Sequence, residues 1–149
     1  MRILGKVIDT FSATKEQSSL PRPKVKSLNL IKDYGIEFDK FAGKKLDQTV
    51  LIVGIKSYEI AKNNGVFLEY GSLGENVLLD FDPHEFEVGT CFKIAEAIIQ
   101  ITQICTVCNH LAIFNDNLPK LLKEHRGVYC RILNSGVIVS NMKVEEYIC

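Results

Sequence analysis

Two cysteines three positions apart, Cys105 and Cys108 in the stretch TQICTVCNHL, are the residues of this chain best suited to chemistry. A cysteine thiolate is a nucleophile and a ligand for soft metals. The residues alone leave four interpretations open: part of a zinc site, a redox couple, one reactive thiol beside a bystander, or two thiols buried as small apolar side chains. The pair follows a predicted strand and precedes a predicted helix start at Asn109. Backbone N–H groups at a helix start lower a thiol pKa, which favours the reactive thiol.

The zinc site and the redox couple each need more than two cysteines three apart. Structural zinc takes four ligands, and only His110 follows the pair closely, whereas His84 and His125 are distant in the sequence. A thioredoxin-type couple lies at a helix start after a parallel strand, in a βαβ unit that this sequence does not show. Buried thiols without a chemical role stay open as well.

Polar residues beside glycines mark two further stretches. GSLGEN has two glycines around a turn, followed by Glu75 and Asn76 directly before an apolar run. Glycine permits close approach to the backbone, and Glu and Asn there either bind a polar ligand or cap the turn. Arg126 stands beside a glycine at the start of a predicted strand, with Arg131 five residues later. Arginine at such a position suits an anion such as phosphate, and Arg126 is the better placed of the two.

The composition is that of an ordinary folded domain. Of 149 residues 46% are hydrophobic, and 18 basic residues balance 18 acidic ones. The overall charge therefore attracts the chain to neither nucleic acid nor membrane, and the length predicts one domain over residues 1–149. No apolar run reaches the length of a signal peptide or a membrane span, which predicts a cytoplasmic protein. In that reducing compartment all five cysteines are expected to be thiols, with Cys91 and Cys130 in the core and Cys149 mobile.

Seven short apolar runs predict strands, and two stretches predict helices. The runs are rich in β-branched and aromatic residues and end at Gly, Asn, Asp or Pro, which is typical of an all-β barrel or sandwich. Residues 55–63 have mostly helical spacing, and residues 109–123 predict a second helix broken at Pro119. Residues 134–136 predict a tight hairpin. The basic stretch around Arg22, flanked by two prolines, is interpreted as an exposed loop.

Taken in order, the polar stretches resemble the signatures of the MOSC domain, a family named for the C-terminal domain of molybdenum-cofactor sulfurases. The family pattern Gly-x-(Phe/Leu)-Gly-Glu-Asn is similar to GSLGEN, and Arg-Gly-(Val/Ile)-(Phe/Tyr)-x-Arg is similar to RGVYCR. Thr-Gln-Ile followed by a loop with a cysteine is similar to TQICTVC. Upstream, VKSLNLIKDYGIEFDKFAGK resembles a segment ending in Gly-Ile-x-Gly-Asp-x-His-Ala-Gly-Lys. The resemblance spans residues 25–144 and points to the short stand-alone bacterial forms.

The resemblance implies a mainly β fold, a MOSC-type barrel similar to the β-barrel of pyruvate kinase, with a few short peripheral helices. It implies a role in molybdenum cofactor (molybdopterin) binding, biosynthesis or sulfuration. Cys108 would be the catalytic thiol and the metal ligand or sulfur carrier, because the short forms have glycine at the position of Cys105. Cys105 is then an addition, either inert or able to resolve a persulfide or disulfide. Whether the protein is an enzyme stays open between sulfur transfer and a cofactor-dependent activity.

The resemblance also assigns cofactor-binding residues. Arg126 would hold the phosphate, with Arg131 as a weaker candidate. The other residues expected around the cofactor are Asp39, Gly43 and Lys44 in a facing loop and Gly74, Glu75 and Asn76 at the barrel mouth.

Departures from the family pattern support two alternatives. Phe38 and Phe41 replace a small residue and a histidine, a further family histidine is replaced by Leu46 or Asp47, and Asn109 stands where a histidine often follows the family cysteine. A binding or partner module that kept the barrel without cofactor chemistry is therefore one alternative, and a structural zinc clip is the other.

The implied partners are molybdenum cofactor biosynthesis proteins or a cysteine desulfurase. Pyridoxal phosphate belongs to a separate aminotransferase-like domain of full-length sulfurases, for which 149 residues leave no room. We therefore expect no pyridoxal phosphate on this chain, and no nucleic-acid or membrane partner.

Overall fold

The structure, a computed structural model, describes residues 2–17, 19–106 and 109–149. Cys108 lies outside these residues, so its role stays a prediction. The strands are β1 (Ile3–Thr10), β2 (Ser27–Ile31), β3 (Gly35–Ile36), β4 (Val50–Gly54), β5 (Val77–Leu79), β6 (Cys91–Ile94), β7 (Ala97–Ile104), β8 (Val128–Asn134), β9 (Gly136–Val139) and β10 (Lys143–Tyr147). The helices are α1 (Ile55–Asn63) and α2 (Leu118–Leu121), and 3-10 turns cover Leu46–Gln48, Pro83–Glu85 and Asn109–Ile113. None of the helices in these ranges is long and apolar enough to cross a membrane.

Seven strands close into a barrel in the order β1, β10, β6, β7, β8, β4 and β5. Neighbouring strands are antiparallel except β4 and β5, which run parallel and are connected through α1. The strands β3, β2 and β9 form a separate small sheet. The mainly β prediction is confirmed, and of the two architectures that the strand count allowed the fold is the barrel.

Apolar side chains at alternate positions of the strands point inward and fill the barrel. In β7, Ile99 and Ile101 are buried, while Gln100 between them and Thr102 after them are partly exposed, as expected of a strand with one buried face. Phe92 is fully buried and packs edge-on against Phe81 and Phe86. A second apolar cluster packs α1 and α2 against the other face of β4. This second cluster fixes the positions of α1 and of the segment before β8. Both segments carry residues that contact the functional sites described below.

The hairpin predicted at residues 134–136 is wrong. The strand β8 pairs with β7 and β4 in the barrel, whereas β9 pairs with β2 in the small sheet. A Cβ on Gly136 would lie 2.4 Å from the backbone nitrogen of Ala97. Gly136 therefore lets the chain pass close to the Ala97 backbone as it leaves the barrel. A tight turn has similar residue types, so the local sequence did not distinguish the two.

The helix predicted over residues 55–63 is confirmed at its bounds, and the second helix is corrected. Residues 109–123 contain a 3-10 turn and the short α2 instead of one broken helix. Pro119 lies in the first turn of α2. A proline there loses no intrahelical hydrogen bond, so it begins this helix where we expected a break.

The expectation that all five cysteines are thiols is also corrected. Cys91 and Cys149 form a disulfide. The strand β10 pairs with β6 so that Tyr147 lies opposite Cys91, which brings the last residue beside the start of β6. Cys130 is a buried thiol whose pKa is raised by burial.

Candidate functional site

A cleft of about 290 Å³ lies where the segment before β2, the loop after β3, the GSLGEN turn and the start of β8 meet. Its charged and aromatic lining consists of Arg22, Lys40, Phe41, His110, Arg126 and Tyr129. Gly74 and Asn76 from the GSLGEN turn complete one wall. Segments that are far apart in the sequence thus form one basic surface.

Arg22 is held in the cleft wall by a buried carboxylate. Its Nη1 lies 3.2 Å from Asp39 Oδ1, and its side chain is 9% exposed. Asp39 also accepts hydrogen bonds from the Ser12 hydroxyl and the Phe41 backbone N–H, which fixes the loop. Burial lowers the pKa of Arg22, but a guanidinium stays protonated near neutral pH. Among the described residues its buried Nε has no hydrogen-bond partner, so a donor is left for a ligand.

Arg126 meets Arg22 across Gly74. The Nε of Arg126 donates to the Leu73 carbonyl at 2.9 Å, and the residue is buried. A Cβ on Gly74 would lie 2.9 Å from Arg126 Nη2 and 3.7 Å from Arg22 Nε. The glycine therefore leaves the space in which both guanidinium groups approach the turn, and it takes a φ of 81° that favours glycine.

Further positive groups surround the Phe41 ring. Arg22 Cζ lies 5.1 Å, Lys40 Nζ 5.3 Å and Lys44 Nζ 5.9 Å from its centroid, within the range of cation–π attraction. Burial lowers the pKa of Lys40 and of His110, and in both cases neighbouring positive charges add to the effect. An anion in the cleft would offset this accumulation of positive charge.

Cys105 lies behind the cleft wall. It is fully buried, and its backbone N–H donates to the Gly127 carbonyl at 2.9 Å. Burial and a hydrogen bond with Cys105 raise the pKa of Tyr129 to about 12, so the phenol stays protonated. The structure therefore connects Cys105 to the cleft through Tyr129.

Glu75 and Asn76 hold the GSLGEN turn. Glu75 is fully buried, and its Oε2 accepts from the Tyr58 hydroxyl at 2.6 Å and from the Gly71 N–H at 3.2 Å. Asn76 lies at the cleft wall, but its amide bonds to the backbone of Leu51 and Phe11. Of the two interpretations of these residues, the structure supports the bracing of the turn directly.

Glu75 gives the protein a predicted pH dependence. Burial raises its pKa above the ordinary carboxyl value, so the folded state keeps this proton to a higher pH than the unfolded state. Wild-type stability should fall as the pH rises from about 4.3 through the folded-state pKa, because ionisation is disfavoured only in the folded state. Glu75→Gln removes this titration and keeps an oxygen acceptor for Tyr58. We expect the variant's free energy of unfolding, relative to wild type, to increase with pH.

Urea unfolding at several pH values measures this difference. Glu59→Gln, on the exposed face of α1, is the control and should track wild type. A Glu75→Gln difference that stays constant with pH would contradict a raised carboxyl pKa.

The remaining predicted site residues lie near the cleft without lining it. Arg131 Nη1 is paired with Asp47 Oδ1 at 3.1 Å. The Gly43 N–H donates to the Tyr34 carbonyl at 2.6 Å, and Lys44 Nζ lies 5.9 Å from the centroid of the Phe41 ring. Asp39 is buried behind the cleft wall and contributes to the cleft by its ion pair with Arg22.

The family departures at Phe38 and Phe41 have different structural consequences. Phe38 has a φ of 69°, a conformation that suits the small residue of the family pattern, and its side chain is 79% exposed. Phe41 lines the cleft and places an aromatic face where the pattern has a histidine.

Sequence reasoning missed Arg22, Lys40 and Tyr129 as cleft residues. The basic stretch around Arg22 was the available signal, but its prolines favoured an exposed loop. His110, a possible zinc ligand from its place after the cysteine pair, lines the cleft. Among the described residues Cys105 belongs to no group of three potential metal ligands.

Comparisons with known proteins agree with this architecture. The family model described as the MOSC domain matches residues 38–145. YiiM from Escherichia coli is 18% identical, with a TM-score of 0.70 over 97% of this chain and 70% of that chain. The YUAD protein from Bacillus subtilis is 17% identical, with a TM-score of 0.74 over 97% of both chains. At these identities the structural likeness shows the fold alone, and no curated protein matches the chain.

Proposed function

Because the chain belongs to the MOSC domain family, we propose that it handles the molybdenum cofactor, with the cleft as the site for the pterin phosphate. In this proposal Cys108 presents its thiolate as a ligand to molybdenum or carries sulfur toward it. The cofactor would supply molybdenum for oxygen or sulfur transfer, and the chain would bind and orient it.

The observation that carries the proposal is the meeting of two buried guanidinium groups at Gly74. Arg22 and Arg126 both lie in the cleft wall, and the carboxylate of Asp39 holds Arg22 there. Arginine N–H groups match the geometry of phosphate oxygens, and the buried Nε of Arg22 has a hydrogen still to donate within the described residues. These residues fit the anionic part of the cofactor.

The cleft also has aromatic side chains suited to the planar pterin ring of the cofactor. Phe41 and Tyr129 are aromatic lining residues, and such rings pack against planar heterocycles. Gly74 provides the close backbone approach beside the two arginines. The proposal thus assigns phosphate to Arg22 and Arg126 and the ring system to the aromatic side of the cleft.

Cys108 carries the sulfur chemistry in this proposal. As a ligand, its thiolate is a soft sulfur donor of the kind that molybdenum accepts. As a carrier, the thiolate would attack the outer sulfur of a donor persulfide and take that sulfur, while the donor cysteine leaves as a thiolate. Both versions need Cys108 in the thiolate form.

Reconstitution of the purified chain with molybdenum cofactor tests the binding version. We expect stoichiometric molybdenum on the wild type and none on Cys108→Ser. Arg22→Gln should weaken binding by about 10- to 100-fold, which corresponds to the loss of hydrogen bonds to a charged group. Arg131→Gln, paired outside the cleft, is the matched control and should bind like wild type. A wild type without bound cofactor would contradict this version.

Mass spectrometry tests the carrier version. After incubation with a cysteine desulfurase and cysteine, we expect persulfide on Cys108 in the wild type and in Cys105→Ser. Persulfide found only on other cysteines would reject sulfur carriage by Cys108.

A further inference from the structure

Three metal-ligating side chains, Asp82, His84 and His125, meet at a place separate from the cleft. Asp82 Oδ2 and His125 Nε2 are 2.7 Å apart, and the rings of His84 and His125 have centroids 4.3 Å apart. One ligand atom from each residue lies within 4.8 Å of the other two. None of the three lines the cleft. Two imidazoles and a carboxylate are the protein ligands of many zinc and iron sites that keep an open position.

The surrounding backbone fixes these side chains in place. The His84 backbone N–H donates to Asp82 Oδ1 at 3.0 Å, which leaves Oδ2 to face His125. The Ser57 hydroxyl donates to the His125 carbonyl and ties that segment to α1. A Cβ on Gly54 would lie 3.0 Å from the Asp82 Cα, so the end of β4 presses against the turn that bears Asp82 and His84. These contacts hold Asp82 and His125 in place before an ion binds.

His84 gives an independent sign of a missing partner. Both of its ring nitrogens are buried, and neither has a hydrogen-bond partner among the described residues. A neutral imidazole carries one N–H donor and one lone pair, and burial without partners is costly. The ring contact with His125 satisfies neither nitrogen. A metal ion would accept the lone pair of one of them.

We propose that Asp82, His84 and His125 bind a divalent transition-metal ion of the zinc type. The side chains of Asp82 and His125 are 12% and 30% exposed, so the ion can arrive from solvent and a fourth position is open to water. Zinc–nitrogen bonds of about 2.0–2.1 Å put tetrahedral ligand atoms about 3.3 Å apart. The contact between Asp82 and His125 therefore has to open only slightly. The three described ligands include no sulfur, which distinguishes this site from a zinc clip at the cysteine pair.

Metal titration of the purified full chain, freed of metal with a chelator, tests the proposal. We expect Zn²⁺ to bind stoichiometrically by calorimetry and to raise the melting temperature. Co²⁺, as the spectroscopic probe, should give visible d–d bands without a sulfur-to-cobalt charge-transfer band. His84→Gln should weaken binding by at least about 100-fold, the upper range for the loss of a mere supporting residue.

The controls separate this site from the other candidate ligands. His110→Gln and Cys108→Ser should bind both ions like wild type. Asp82→Asn, which preserves side-chain size, replaces His84→Gln if that variant fails to fold by circular dichroism. The proposal is overturned if the wild type binds neither ion stoichiometrically, if the cobalt spectrum shows sulfur ligation, or if the folded ligand variant binds like wild type.

Discussion

Replacing Asn76 by alanine is expected to lower the free energy of unfolding by about 3 kcal/mol. The side-chain Oδ1 of Asn76 accepts from the Leu51 N–H at 3.0 Å, and its Nδ2 donates to the Phe11 carbonyl at 3.1 Å. Asn76 is buried, so alanine leaves two backbone groups without water or a partner. Each such group costs about 1–3 kcal/mol. The amide therefore joins Phe11, directly after β1, to β4 at the start of β5.

Urea unfolding of Asn76→Ala measures this loss, and Asn64→Ala is the matched control. The Asn64 side chain also donates to a backbone carbonyl, that of Ile60, but it is exposed at the end of α1. Water can replace that hydrogen bond, so the control should change stability by less than about 0.5 kcal/mol. Equal effects of the two substitutions would show that the buried amide of Asn76 does not brace the barrel.

Gly71→Ala is expected to destabilise the fold by about 2–5 kcal/mol and to weaken anion binding in the cleft. Gly71 has a φ of 94°, and a Cβ there would lie 2.7 Å from the Arg22 carbonyl oxygen. The Gly71 carbonyl also accepts the Arg22 N–H at 3.0 Å. The positive φ costs about 1–2 kcal/mol and the steric overlap about 1–3 kcal/mol. The overlap must move the backbone that carries the Arg22 guanidinium.

Gly65→Ala separates the two contributions. Gly65 has a similar φ of 80°, but nothing lies within 4 Å of its Cβ position. This control should lose only the conformational part, about 1–2 kcal/mol, and bind inorganic phosphate like wild type. Unfolding and phosphate titration of both variants give the comparison. If Gly71→Ala lost no more stability and no more phosphate affinity than Gly65→Ala, the proposed contact between the turn and Arg22 would be refuted.

These two predictions change the interpretation of the GSLGEN stretch. Its residue types suggested ligand contacts as readily as a capped turn. In the structure Glu75 and Asn76 face inward to Tyr58 and to neighbouring strands, and only Gly74 leaves space beside the arginines. The stretch shapes the cleft mostly through the backbone path that its buried side chains impose.

The sequence by itself determined the local elements and the family. Apolar runs rich in β-branched residues predicted strands such as β7, and helical spacing predicted α1 at its observed bounds. These features depend on neighbouring residues, so a short window contains the physical cause. The order of the polar stretches predicted the MOSC barrel, which the family match and the closed sheet confirm.

Only the tertiary structure decided which distant residues share a site. It placed Arg22 beside Arg126, gathered Asp82, His84 and His125, joined Cys91 to Cys149, and sent β9 into a second sheet. Each of these contacts joins segments that are far apart in the chain or assigns a strand to one of two sheets. Strand pairing and the packing of loops against the barrel create them, and the period of a single segment contains no information on either.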